Sequence, residues 1–145
     1  MQIELSKEQY HKLVKLIYAG EWLINSHREK DEVIKEFEDI EQYIYSFSGY
    51  KEFAAGDLIT FDSDFQEYFP TRKLEELIHE LIDDYDEDNF WEELIRRMAT
   101  KEALIKNKNA TAEDVWALEA KYDDEFCENG LDRVYVDWHN KNRRK

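Results

Sequence analysis

Residues 74–95 read LEELIHELIDDYDEDNFWEELI, a run of 22 with ten acidic side chains and no Lys or Arg. At about 100° per residue, Leu74, Leu77, Ile78, Leu81 and Tyr85 share one face of a helix. Phe90, Leu94 and Met98 fall roughly opposite on the same axis, and one straight helix cannot bury both sets. A break at Asp86 resolves the conflict. Tyr85 then precedes the cap, Asp86 becomes the N-cap, and Phe90 meets Tyr85 in a hydrophobic staple. Glu87 and Asp88 would lie in a first turn whose free N–H groups favour negative charge. An unbroken helix would instead stack acid on acid at Glu80/Asp84, Asp83/Glu87 and Asp84/Asp88, each pair costing roughly a few tenths of a kcal/mol. The expectation is therefore a helical hairpin with an acidic tip, although no Gly or Pro marks the turn.

Upstream of this stretch, Pro70 and Thr71 mark a helix start. Between residues 49 and 70 helical periodicity lapses, and from 45 to 69 eight aromatics gather: Tyr45, Phe47, Tyr50, Phe53, Phe61, Phe65, Tyr68 and Phe69. A connection this long and apolar reads as a folded cap over one end of the core, or alternatively as an aromatic-lined site. Val33, Phe37, Ile40, Ile44 and Phe47 recur at helical spacing and predict a helix over 31–47. Ser6 followed by Gln9 forms a capping box for a first helix with Tyr10, Leu13, Val14 and Ile17 as its stripe. Gly20 either ends that helix or admits a close neighbour.

Downstream, a fourth helix should run from the acidic tip to about residues 107–109. Thr111 with Asp114 caps a fifth, which carries Val115, Leu118, Tyr122 and Phe126 and stops at Gly130. Residues 1–5 and 134–138 alternate as short strands, and neither is stable alone, so they are expected to pair. The fold class is mainly α: a bundle of about five helices with a minor two-stranded β-ribbon joining the chain termini. A single domain over 1–139 and a frayed basic tail over 140–145 are expected.

Composition narrows the function classes. The net charge of −15 disfavours nucleic acid and anionic membranes, because the phosphate term would be repulsive over most of the surface. The 25 acids outside 74–95 are nearly balanced by 20 Lys and Arg, so the excess is local. No apolar run has the length of a membrane span, and the first residues lack the pattern of a signal peptide. Cys127 is the only cysteine, which excludes an internal disulfide and makes a reducing cytoplasm the expected location.

No cofactor or metal is expected, because each candidate motif fails on geometry or on a missing residue. Glu8/His11 and Glu76/His79 have the i, i+3 spacing of carboxylate-bridged di-metal bundles, but both pairs point away from their helix's apolar stripe. Asp84, Asp86 and Asp88 imitate the opening of a calcium loop. Asn89 and Ile95 stand where that loop needs Gly and a bidentate Glu, leaving at most weak divalent binding. Cys127 reads as an inert, at least half-buried thiol on the last helix.

The sequence thus points to an acidic, non-enzymatic interaction module of inhibitor, immunity or adaptor type. Asp83, Asp84, Asp86, Glu87, Asp88 and Trp91 would meet a basic protein surface. The rival is a small-ligand binder or carboxylate-based enzyme at 45–69, which requires a closed apolar pocket and at least two inward acids of raised pKa.

Overall fold

The computed structural model describes residues 3–136. They form four helices: α1 (Lys7–Asn25), α2 (Lys35–Tyr45), α3 (Arg72–Lys106) and α4 (Ala112–Asn129). A 3-10 turn, Ser46–Gly49, follows α2, and the strands β1 (Ile59–Asp62) and β2 (Glu67–Pro70) precede α3. Packing divides the chain into two compact units, Met1–Tyr85 and Asp86–Lys145.

In the first unit, the capping box at Ser6 forms as the sequence predicts. The Ser6 hydroxyl accepts from the Gln9 N–H at 3.2 Å, and the Ser6 N–H donates to the Gln9 side chain at 2.8 Å. α1 continues through Gly20. It buries Tyr10, Val14 and Tyr18, one turn apart, in a core with Tyr45, Leu58, Ile59, Leu74 and Ile78.

α2 begins four residues later than the apolar spacing suggests, and buried Asn25 accounts for the delay. Its side chain accepts from the Ile34 N–H at 3.0 Å and donates to Glu21 at 2.8 Å, tying the intervening turn to the end of α1. β1 and β2 pair antiparallel, with Phe61 opposite Tyr68 and Asp62 opposite Glu67. The Asp62 carboxylate accepts from the Asp64 and Phe65 N–H groups and closes the turn. Gln42 pins the hairpin edge to α2 through two 2.8 Å bonds with the Tyr68 backbone.

In the second unit, α4 packs on the last turns of α3 through Ala99, Ala103 and Leu118, flanked by Ala110, Val115 and Tyr122. Thr111 and Asp114 form the predicted capping box, and Gly130, at φ +53°, ends α4. Only Gly takes that backbone conformation without strain.

Three expectations fail. The chain does not break at Asp86: α3 is one helix of 35 residues, so the described residues hold four helices rather than about five. The buried positions explain why. Past the acidic run the buried positions of α3 are the small Ala99 and Ala103, one turn apart, and the larger Phe90 is left 46% exposed. The phase set by Phe90, Leu94 and Met98 is therefore not the buried one and imposes no break. A single helix therefore suffices.

The terminal ribbon is also absent among the described residues. Residues 3–5 and 134–136 are not strands, and the two-stranded sheet is instead the 59–70 hairpin inside the aromatic segment. The remaining ribbon positions, 1–2 and 137–138, and the basic tail lie outside the described residues. Lastly, Cys127 is exposed, with Asp123 at 3.9 Å, rather than half-buried. Among the described residues no helix is long and apolar enough to cross a membrane.

Candidate functional site

A groove of about 780 Å³ lies in the first unit between α1, α2 and the segment that follows α2. Its walls are Tyr10 and Leu13 of α1, Tyr43 and Ile44 of α2, then Phe47, Tyr50 and Phe53, with Ile3 and Leu5 along one side. Among the described residues Glu52 is the only charged side chain lining it.

The floor is held rigidly. Tyr10 is 2% exposed, stacks on Phe53 with ring centres 4.2 Å apart, and donates its hydroxyl to the Ile44 carbonyl at 2.8 Å. Burial pushes its phenol up to about 12, so that hydroxyl keeps its proton. His11 Nε2 lies 2.8 Å from the Phe53 carbonyl, which makes that nitrogen the donor and clamps the turn to α1. Ala54, next in the chain, sits at φ +44°, a backbone conformation an L-residue takes only when its surroundings enforce it. The rim, by contrast, is open to solvent: Ile3, Tyr43 and Tyr50 are each more than half exposed.

On the other side of α2 lies a polar cluster. The half-buried Glu41 carboxyl accepts from the hydroxyl of fully buried Tyr45 at 2.9 Å. Burial raises Glu41 to about 7, with the charges of Glu21 and Glu38 adding to the shift and the Tyr45 bond opposing it. Among the described residues no Lys or Arg pairs with it. Tyr18, also raised by burial and by Glu75, Glu41 and Glu21, meets His79 Nε2 at 3.0 Å. Trp22 stands edge-on to the same imidazole at 5.5 Å.

The residues singled out by sequence are dispersed by the continuous helix. Asp83, Asp84, Asp86, Glu87 and Asp88 are all exposed, and none pairs with a Lys or Arg among the described residues. They wrap around α3 instead of converging, since alternate positions on a helix point about 200° apart. Asp84, Asp86 and Asp88 consequently cannot face one ion. Trp91 is not a free anchor: it packs on Phe126 of α4 at 5.7 Å and donates its indole N–H to Glu87 at 2.6 Å.

The two Glu-x-x-His pairs also separate. Glu8 faces solvent beside the Ser6 hydroxyl, and Glu76 pairs with Arg72 at 2.6 Å, while His11 and His79 hold Phe53 and Tyr18. Of the predicted aromatic segment, Phe47, Tyr50 and Phe53 reach the groove, whereas Phe61, Phe65 and Phe69 sit on the hairpin. The contributions of Ile3, Leu5 and Leu13 were not separable in sequence from ordinary core positions. No protein-family model matches the chain, and no characterised protein or solved structure matches it significantly.

Proposed function

We propose that the first unit is a docking module and that its aromatic groove receives a short apolar segment of a partner protein, flanked by Lys or Arg. The observation that carries this is the groove itself, open, lined by nine apolar or aromatic side chains and one carboxylate. It lies in a unit with 20 acidic residues against nine Lys and Arg. Aromatic walls supply desolvated anchor pockets, and the surrounding negative field favours a basic occupant and speeds its encounter. This reading keeps the expected interaction role and moves the proposed contact from the acidic tip to the apolar groove.

The enzyme or small-ligand reading called for an enclosed pocket and two inward acids of raised pKa. The groove is open, and Glu41, among the described residues the one carboxyl raised by burial, does not line it.

Selection of a displayed random peptide library on the full chain tests the proposal. Enriched peptides should combine apolar anchors with Lys or Arg, and the double substitution Tyr43→Ala/Tyr50→Ala should weaken them at least about tenfold. Because both tyrosines are solvent-facing, that variant should keep its fold. Peptides that bind the double variant equally well, or a selection that enriches nothing, would refute the groove.

A further inference from the structure

The outer face of α3 has an unexpected symmetry. Asp83, Glu87, Phe90, Leu94, Arg97 and Lys101 fall within a sector of about 80°, on the side away from Ala99 and Ala103. Their spacing, 4-3-4-3-4, is that of a coiled-coil seam, and it reads the same in both directions. Only its two central members are apolar, which is why a search for apolar heptads passes over it.

Reversing the helix exchanges Asp83 with Lys101, Glu87 with Arg97, and Phe90 with Leu94. The surface supports the pattern. Asp86, Asn89, Phe90, Glu93, Leu94 and Arg97 border a shallow depression of about 440 Å³, and Phe90 is 46% exposed in it. Beyond it Arg96, Arg97, Thr100 and Lys101 border a second depression, a basic patch. Arg97 bonds to Glu93 through Nε and Nη2 at 3.0 and 2.9 Å, and among the described residues its other terminal nitrogen has no partner, which leaves it for a second carboxylate.

We infer that this face pairs with the same face of a second copy of the chain, antiparallel and about a twofold axis near residue 92. Each Phe90 packs against the partner's Leu94, each Asp83 faces the partner's Lys101, and each Glu87 faces the partner's Arg97. A parallel pair would set acid against acid and base against base. The antiparallel pair offsets the repulsion that an unbroken helix leaves at Asp83/Glu87. This face shares no residue with the groove, and pairing through it does not depend on what the groove binds. With two apolar side chains per copy at its centre, the dimer should be weak and salt-sensitive.

Sedimentation equilibrium of the full chain at low ionic strength tests it. A monomer–dimer equilibrium with a dissociation constant on the order of 10–100 μM is expected, weakening as salt is added. Asp83→Lys and Lys101→Asp should each weaken it about tenfold, and the chain carrying both should recover the parental constant, since the swap restores every cross-pair. Phe90→Ala should also weaken it, with far-UV circular dichroism verifying that helix content is unchanged. A chain that stays monomeric at about 500 μM in low salt overturns the inference. So does a dimer indifferent to the single reversals, or one that the double swap fails to rescue.

Discussion

Replacing Glu41 with Gln should stabilise the protein at alkaline pH and do little at acid pH, the reverse of what losing a salt bridge would do. In the folded chain the Glu41 carboxyl titrates at about 7, against an ordinary value of 4.5. Between those values the folded state keeps a proton that the unfolded state has released, so stability falls as pH rises through the window and levels off above it. The shift corresponds to about 3 kcal/mol if taken whole, and water on the open side of this half-buried group reduces it to about 2 kcal/mol. A Gln side chain can still accept the Tyr45 hydroxyl and never ionises.

Urea unfolding of the two chains, followed by far-UV circular dichroism, measures the difference directly, and titrations elsewhere cancel. The variant should match the parent at about pH 4.5 and exceed it by about 2 kcal/mol near pH 8.5. A gap that does not change between those pH values, or a variant that is less stable at the alkaline end, would refute the assignment of a buried, uncompensated carboxyl.

Two further substitutions probe the second unit. Glu87→Pro separates a continuous α3 from a helix that restarts at Asp86. Pro is well tolerated at the first position of a helix, but inside one it should cost about 3 kcal/mol, read as a lowered urea midpoint. Thr111→Ala removes the hydroxyl that accepts from the Asp114 N–H and should cost about 1 kcal/mol of unfolding free energy, with Thr111→Ser close to neutral.

The features that sequence made legible were those set by local chemistry. Both capping boxes, at Ser6 and Thr111, and the helix starting after Pro70 and Thr71 depend on residues within one turn of each other. The stop at Gly130 depends on one residue's freedom at positive φ. The break at Asp86 answers a real change of phase among the large side chains, but the buried positions beyond it are small. Ala99 and Ala103 are buried at 0% and 3%, although neither stands out from an ordinary helix former in sequence.

The β-hairpin escaped notice because its strands are four residues long and its turn, closed by Asp62, lacks an Asn-Gly signal. The groove was half visible. Its Phe47, Tyr50 and Phe53 wall follows from the aromatic cluster, but Leu13 and Leu5 join it only through packing that is distant in sequence. Glu41 gave no signal at all, since on α2 it falls among Glu36, Glu38 and Asp39, all of which face solvent.

α3 passes unbroken through its acidic middle, and nuclear magnetic resonance tests that residue by residue. Helical Cα shifts and uninterrupted αH(i)–βH(i+3) cross-peaks from Asp83 to Phe90 are the expected result. Extended-region shifts at Asp86, with those cross-peaks missing across it, would restore the hairpin and remove both the outer seam and the pairing built on it.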